Sequence, residues 1–201
     1  MEFDTNDRTG LAAPDTARGS VRKLWYTELN KYRDHLLRLD EESRRLRFGM
    51  NVDDDFIENY TRRIADMKSI VYACVIDAEV RAAAELRPLG EGFSAEAEAA
   101  FSVEKEHQDI GIGTELMGCI IRAARNRGIY RLYMNCLAEN RRMQRIARKF
   151  EAVLTFEQGE VVGHLKPVTA NYFSIWREAV EDEMGFVMAV LDIQKRVLPA
   201  A

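Results

Sequence analysis

Apolar residues follow a helical spacing in the first third of the chain and a strand spacing after it. Over residues 27–67 they recur three or four positions apart, with breaks near Asp40 and at GMNVDDD, which predicts two or three helices. A short strand is predicted before them, over residues 21–26. Residues 69–76 form a β-branched run, and residues 80–87 alternate after the turn DAE, which predicts a hairpin. Its second strand places these side chains on one face: Val80, Ala82, Ala84 and Leu86.

The alternation continues over residues 95–103, which predicts a third strand of the same sheet. One face carries Ala97, Ala99, Phe101 and Val103, and the other carries Glu96, Glu98, Ala100 and Ser102. Residues 114–127 then have an amphipathic helical pattern, and Gly128 suits a left-handed C-terminal cap. A strand follows over residues 130–136, Asn140 can cap the next helix, and residues 152–167 have the pattern of a final hairpin.

These elements predict one domain with a tail at each end. Residues 1–19 contain glycine, proline and small polar residues without periodicity, so a disordered tail is expected. Residues 20–168 hold the predicted strands and helices, and 201 residues suit a single core. Residues 169–201 have apolar positions at helical spacing and are predicted to form an extra C-terminal helix. This helix either packs on its own domain or forms a homodimer contact, because exposed apolar surface favours association.

Composition and charge exclude several classes of function. The net charge is -4, with 29 basic and 33 acidic residues, so no overall positive field recruits nucleic acid or an anionic membrane. No segment has the roughly 18 uninterrupted apolar residues of a membrane span, and the first residues lack the apolar core of a signal peptide. The three cysteines have no CxxC spacing and the three histidines lie far apart, so neither disulfides nor a metal site is expected. We expect a cytoplasmic protein.

Gly111 and Gly113 lie two positions apart, between the third strand and the helix that follows it. Such a junction binds anions, because backbone N–H groups and the helix dipole favour negative charge and glycine permits a close approach. The ATP-binding type of loop does not fit, since no lysine precedes Thr114. The dinucleotide-binding type does not fit either, since GIGTEL lacks the third glycine. The alternative is that the two glycines only shape a tight turn.

The residues around this junction resemble the GNAT superfamily of acyl-CoA-dependent N-acyltransferases. QDIGIG fits the Q/R-x-x-G-x-G/A loop of that family, and AEAAFSVEKEHQDIGIGTELM is similar to its fourth strand and third helix. LYMNCLAENRRMQRIARKF resembles its fifth strand and fourth helix, and LLRLDEESRRLRFGM is similar to the first helices of bacterial relatives close to protein acetyltransferases. The resemblance covers residues 36–167. It implies an α/β (α+β) fold, a single domain with a mixed central sheet, splayed fourth and fifth strands and flanking helices.

The resemblance also implies a set of site residues. Pantetheine would lie in the gap between the splayed strands and pyrophosphate on the loop amides. The implied acetyl-CoA-binding residues are Phe101, Ser102, Val103, Gln108, Asp109, Ile110, Gly111, Ile112, Gly113, Thr114, Asn140 and Met143. Glu98 matches the glutamate that lysine-acetylating relatives use as a base, which suits an amine that must lose a proton before it attacks. Glu96 and Glu85 are its substitutes.

The implied activity is transfer of an acetyl group from acetyl-CoA to a primary amine, on a small molecule or a protein lysine. The amine attacks directly in a ternary complex, without a metal. One position departs from the family pattern, because Ala147 stands where many relatives have a tyrosine that protonates the leaving thiolate. Tyr133 could replace it, or water could, since a thiol with a pKa near ~8.5 is a fair leaving group. The alternative function is a catalytically silent acyl-CoA-binding regulatory module.

Overall fold

The computed structural model describes residues 19–90, 95–157, 159–166, 178–187 and 189. The helices are α1 (Leu29–Arg38), α2 (Glu41–Phe48), α3 (Asp54–Arg62), α4 (Ile112–Asn126) and α5 (Arg141–Lys149). The strands are β1 (Ser20–Lys23), β2 (Ile70–Ile76), β3 (Glu79–Pro88), β4 (Glu96–Val103), β5 (Arg131–Leu137), β6 (Val153–Glu157) and β7 (Glu160–Leu165). Short 3-10 turns span Tyr26–Glu28 and Lys105–His107, and residues 178–187 are helical.

The strands form one mixed sheet in the order β1-β2-β3-β4-β5-β7-β6. Neighbouring strands are antiparallel except β4 and β5, which are parallel. This parallel pair is short, because it joins only residues 96–98 to residues 131–133. Beyond that point the two strands separate, and residues from both line a cavity between them. The predicted mixed sheet with splayed fourth and fifth strands is confirmed.

Helices cover both faces of the sheet and bury a separate core on each. Helix α4 packs on β2, β3 and β4, in a core that includes Tyr72, Ala84, Leu86, Leu116 and Ile120. On the other face, the core under α1 and α3 contains Leu24, Tyr32, Leu36, Leu39, Ile57, Ile64, Val71, Ala73, Val75, Val80 and Ala83. Helix α2 lies beside β4 and β5, next to the point where they separate. This position makes α2 one wall of the gap between the strands.

The alternation predicted for β3 is wrong at its first position. The pattern places Val80 on the face of Ala82, but Val80 belongs to the core under α1 and α3 while Ala82 belongs to the core under α4. The cause is a shift in register between Cys74 and Val75 of the neighbouring strand β2. An irregularity of this kind moves the following side chain to the opposite face of the sheet.

Helix caps explain the breaks in the helical pattern. The side chain of Asp40 accepts a hydrogen bond from Ser43 N, and that of Asp53 accepts one from Phe56 N, so each begins a helix. Gly128 has a φ of 69° just after α4, as its predicted capping role requires. Helix α4 begins at Ile112, two residues before the predicted start, and β1 ends at Lys23 rather than at residue 26.

The described part of the C-terminal helix packs against its own domain. Glu178 is buried, and its Oε1 accepts hydrogen bonds from Tyr72 Oη at 3.3 Å and from Arg127 Nη1 at 2.7 Å. Lys23 Nζ lies 2.6 Å from Asp182 Oδ2. These contacts attach the helix to α4 and to β1 and β2. Residues 1–18 of the predicted tail at residues 1–19 and the rest of the predicted helix lie outside the described residues. The domain limits at residues 20–168 and 169–201 stay predictions.

Candidate functional site

A cleft of about 390 Å³ opens where β4 ends and α4 begins, with α2 and α5 as its other walls. This volume lies within the range of small-molecule binding sites. All but two of the implied acetyl-CoA-binding residues line it, namely Phe101, Ser102, Val103, Gln108, Asp109, Gly111, Gly113, Thr114, Asn140 and Met143. The two others have side chains elsewhere, since Ile112 is buried in the core and Ile110 is 49% exposed. Only the backbone groups of these two residues could contact a ligand in the cleft.

Unused hydrogen-bond donors cluster in the loop that opens α4. The backbone N–H groups of residues 109–113 donate to no acceptor in the described part of the chain. The next two amides, those of Thr114 and Glu115, bond the carbonyl oxygen of Gly111 at 3.0 and 3.2 Å. Free amides at a helix N-terminus require a partner, and an anion satisfies several of them at once. The loop therefore has the chemistry of a phosphate cradle.

The two glycines of the loop differ in what their missing Cβ allows. Gly111 has a φ of 97°, in the left-handed region that other residues avoid, and a Cβ there would meet nothing within 4 Å. The space beside it is therefore open to a ligand. Gly113 has no such backbone requirement, but its Cβ would lie 2.9 Å from the Cδ1 atom of Ile146. Gly113 thus permits the close approach of α4 to α5.

Two arginines of α5 lie beside this loop. Arg142 Nε is 3.0 Å from Asp109 Oδ2, and Arg145 Nη2 is 3.6 Å from Asp109 Oδ1. All three side chains are more than half exposed. Exposed ion pairs contribute little free energy, so both guanidinium groups can exchange Asp109 for a phosphate at small cost.

The N-terminal cap predicted for Asn140 is confirmed. Its Oδ1 accepts a hydrogen bond of 3.0 Å from Met143 N, at the start of α5. Its amide nitrogen donates to no residue that the structure describes, and Asn140 lines the cleft. The same side chain can therefore cap the helix and donate a hydrogen bond to a ligand.

A smaller cavity continues from the cleft into the gap between β4 and β5. Its lining comprises Leu46, Arg47, Ala99, Ala100, Phe101, Met134, Asn135, Cys136, Asn140 and Met143. Two consecutive alanines, Ala99 and Ala100, lie at the point of separation and add little side-chain bulk to the gap. We call this cavity the acyl gap.

The carboxylates expected near the acyl gap occupy different environments. Glu98 is half-buried, with one oxygen accepting from Arg87 Nη2 and the other from Asn135 Nδ2 at 3.4 Å. It precedes Ala99 of the acyl gap but lines neither cavity. Glu96 shares the same sheet face and accepts from Arg131 Nη1 at 2.6 Å. Glu98 and Glu96 thus lie on a polar strip beside the acyl gap.

Glu85, expected as an accessible substitute, is in fact buried at 1% exposure. Its Oε2 accepts hydrogen bonds from Tyr32 Oη, Tyr60 Oη and Arg47 Nη2. Helices α1, α2 and α3 supply these three donors and cover the middle of β3, which is why the carboxylate is removed from solvent. The alternation of β3 predicted the correct face for Glu85 but carried no information about the helices on it.

Sequence reasoning also missed a buried polar cluster centred on His35. The His35 ring is fully buried, with Nδ1 at 3.0 Å from Glu104 Oε1 and Nε2 at 2.8 Å from Ser102 Oγ. Arg38 and Arg81 also donate to Glu104. Burial raises the pKa of Glu104, but the hydrogen bond from His35 and the nearby arginine charges outweigh it and hold this pKa at about 2. Burial lowers the pKa of His35 below 6.5.

This cluster fixes the part of β4 that borders the cleft. Ser102 lines the cleft, and Glu104 immediately precedes the 3-10 turn that leads into the loop. A neutral His35 that donates from Nδ1 to Glu104 and accepts at Nε2 from Ser102 satisfies both partners. No sequence signal connects the three residues, because His35 lies 67 and 69 positions from its two partners.

The sequence profile of the acetyltransferase (GNAT) family matches residues 33–152. No curated protein sequence matches the chain. Among solved structures, the GNAT domain of PAT from S. lividans is similar, with 23% identity and a TM-score of 0.62 over 73% of this chain and 89% of that one. The structure of yncA from Salmonella typhimurium, solved with its cofactor acetyl-CoA, has 15% identity and a TM-score of 0.56 over 75% of this chain and 95% of that one. At these identities, the structural likeness establishes the fold.

We expect the free energy of unfolding to fall as the pH drops below about 6.5. Because the pKa of His35 is lowered in the folded chain, the unfolded chain takes up its proton at a higher pH, and the stability present above that pH is lost on acidification. Glu104 acts in the same direction at lower pH, as its carboxylate is protonated between about 4.5 and 2. Denaturant unfolding over a series of pH values measures this loss.

His35→Asn removes the titrating ring and is the matched variant. It should be less stable at neutral pH and should lose less further stability on mild acidification than the unaltered chain. His164→Asn serves as the control, because His164 is exposed. Equal losses in the unaltered chain and in His35→Asn would show that another group controls the pH dependence.

Proposed function

The chain belongs to the acetyltransferase (GNAT) family, and from this premise we propose that it is an acetyl-CoA-dependent N-acetyltransferase. Its acceptor is a primary amine, on a small molecule or a protein lysine, which attacks directly in a ternary complex. The observation that carries the proposal is the continuous cleft that joins the free amides of residues 109–113 to the acyl gap. One end has the donors for a diphosphate, and the other lies between the splayed strands, where the acyl group would enter.

The splay of the sheet supplies the binding surface between these ends. Beyond Glu98, the backbone groups of β4 that point toward β5 have no strand partner. A pantetheine arm contains amide groups and can hydrogen-bond to the backbone of Phe101 and Val103 as an added strand would, whereas the backbone of Ser102 pairs with β3 and only its side chain borders the cleft. Asn140 and Met143 form the opposite side of this channel. The diphosphate would then occupy the loop from Gln108 to Thr114, where Arg142 and Arg145 offer further positive charge.

The reaction needs a group that accepts the proton of the attacking amine. Acetyl-CoA supplies an acetyl group activated as a thioester. Glu98 is the proposed base, and because it lies beside the acyl gap without lining it, the proton would travel through one water. The ion pair with Arg87 fixes the orientation of Glu98. Glu96 is the substitute; it accepts from Arg131 and Tyr133 and lies two residues farther from Ala99 of the acyl gap.

Solvent is the proposed proton source for the leaving thiolate. Ala147 is 2% exposed and belongs to the core under α4, so nothing at that position could reach the thiolate without repacking. Tyr133 Oη donates to Glu96 at 3.1 Å, which commits its proton elsewhere. A thiolate whose conjugate acid has a pKa near ~8.5 leaves without assistance from a protein acid.

The rival function is a catalytically silent acyl-CoA-binding regulatory module, which Ala147 favours. Release of CoA thiol in the presence of amines separates the two functions, because a silent module binds acetyl-CoA without turnover.

We propose a cytoplasmic location. Among the described residues, no helix combines the length and the apolar character that crossing a membrane requires. No group of three metal-binding side chains occurs there either.

We also propose a homodimer through the C-terminal helix, which should give a dimeric mass in light scattering at micromolar concentration. On the helical residues 178–187, Met184, Phe186 and Val187 are 65%, 54% and 54% exposed. Apolar surface that protrudes in this way favours association. A monomeric mass would remove the dimer from the proposal and leave the helix as a part of its own domain.

We expect Gly111→Asp to weaken acetyl-CoA binding more than Gly111→Asn does. The two replacements are equal in size, and both residues tolerate the left-handed conformation that Gly111 adopts at a φ of 97°. Only aspartate adds a negative charge beside the free amides, so roughly a further tenfold loss is expected from like-charge repulsion. Calorimetry at low and at high salt measures it. Equal affinities of the two variants at low salt would contradict a diphosphate at this loop.

Glu98→Gln should lower turnover by about 10²–10⁴-fold, the usual contribution of a positioned general base. Its affinity for acetyl-CoA should stay nearly unchanged, because Glu98 does not line the cleft. Glu96→Gln is the matched control on the same strand face. If Glu96→Gln lowered turnover and Glu98→Gln did not, Glu96 would be the base instead of Glu98. If neither variant lowered turnover, a carboxylate base on β4 would be excluded.

A further inference from the structure

Arg47 is an unusual component of the wall of the acyl gap. It lies in the last turn of α2, and its side chain is only 6% exposed. It nevertheless lines both the main cleft and the acyl gap. A permanently charged group is thus placed at the end of the cleft that would hold the acyl group and meet the acceptor.

One end of the Arg47 guanidinium is held by a buried set of oxygens. Its Nη2 lies within hydrogen-bond distance of Tyr32 Oη at 3.1 Å, Tyr60 Oη at 3.0 Å and Glu85 Oε2 at 3.0 Å. The ring of Phe48 lies 4.8 Å from the guanidinium carbon. Contacts from four different side chains fix the position of the group before any ligand arrives.

The remaining donors of the guanidinium are not used. Nε is buried without a partner, and Nη1 donates to no residue that the structure describes. An arginine that served only to neutralise Glu85 would form the two parallel hydrogen bonds that favour an arginine–carboxylate pair. Here one Glu85 oxygen, Oε1, also has no partner. Leaving buried donors unsatisfied is unfavourable, so the arrangement points to a ligand.

Glu85 accepts a hydrogen bond from only one nitrogen of the Arg47 guanidinium, Nη2. Two tyrosine hydroxyls donate to its Oε2, so three donors share its charge. Burial, together with the charge of Glu85, raises the pKa of Tyr60 to about 12, which keeps that hydroxyl protonated and donating. The guanidinium of Arg47, which lines the acyl gap, therefore keeps Nη1 and Nε for a second anionic group.

We propose that Arg47 binds a carboxylate at the acyl end of the cleft. A planar carboxylate matches the fork of a guanidinium, and the amides of Asn135 and Asn140 in the same cavity could add neutral donors. Two substrates carry such a group to this place, an α-amino acid that serves as the acceptor and an acyl-CoA whose acyl chain ends in a carboxylate. The inference rests on the proposed transferase function and narrows its substrate class.

Calorimetry on the full chain tests both sources. In one arm, succinyl-CoA is compared with butyryl-CoA, which has an acyl chain of the same length without the carboxylate. In the other arm, α-amino acids are compared with their carboxamides in the presence of CoA. We expect the carboxylate compound to bind roughly 10- to 100-fold more tightly in one of the two arms, as hydrogen bonds to a charged group allow.

Arg47→Lys is the decisive variant, because lysine keeps a positive charge opposite Glu85 but loses the fork. Arg45→Lys, on the same helix and outside both cavities, is the matched control. The preference for the carboxylate should disappear in Arg47→Lys and persist in Arg45→Lys. A purely structural role of Arg47 would weaken both compounds of a pair equally and leave their ratio unchanged.

Equal binding of the carboxylate and neutral compounds in both arms, or an unchanged ratio in Arg47→Lys, would overturn the carboxylate site. Circular dichroism of Arg47→Lys establishes that the variant is folded, and Arg47→Gln replaces it if it is not. If no amine led to thiol release but the carboxylate compound still bound more tightly than its neutral partner, the transferase function would be overturned and this site would not. If amines without a carboxylate were turned over and the carboxylate and neutral compounds bound equally, this site alone would be overturned.

Discussion

The early end of the parallel pairing between β4 and β5 is the constraint on which the site depends. The two strands share only residues 96–98 and 131–133, and past that point the backbone of β4 lacks a strand partner on one side. Unpaired backbone groups inside a protein are unfavourable, so an interior gap of this kind requires a ligand or water. The fold therefore creates a hydrogen-bonding surface with peptide-like spacing, and the free amides of residues 109–113 extend it to an anion.

Two buried polar clusters border this open region. The cluster of Arg47, Glu85 and two tyrosines lies beside the acyl gap, and the cluster of His35, Ser102 and Glu104 lies beside the main cleft. Each connects helices of the first third of the chain to the sheet, in addition to their apolar packing. Breaking such a buried pair by removing one partner is costly, which restricts movement of the helices over β4.

Local signals in the sequence were sufficient for most elements of the fold. The helix breaks near Asp40 and at GMNVDDD, the cap at Asn140 and the strand alternation of β4 depend on neighbours within a few positions, and the structure confirms them. The burial of Glu85 and the partners of His35 depend on contacts 25 to 69 positions apart, which no periodicity records. The register shift beside Val75 likewise depends on two strands at once, so the alternation of β3 alone could not reveal the reversal at Val80.

Helix α2 borders both the main cleft and the acyl gap. It contributes Ser43 and Leu46 to the main cleft and Arg47 to both cavities, yet no residue of α2 is buried as a whole. Two side chains of α2 join it to the rest of the domain. The Arg47 guanidinium bonds Glu85, and the ring of Phe48 contacts the rings of Phe56 and Tyr60 edge-on. A carboxylate bound to Arg47 would add a further attachment to the same helix and so stabilise one wall of the main cleft. Because linkage is reciprocal, a filled cleft would then raise the affinity of Arg47 for its carboxylate by the same factor.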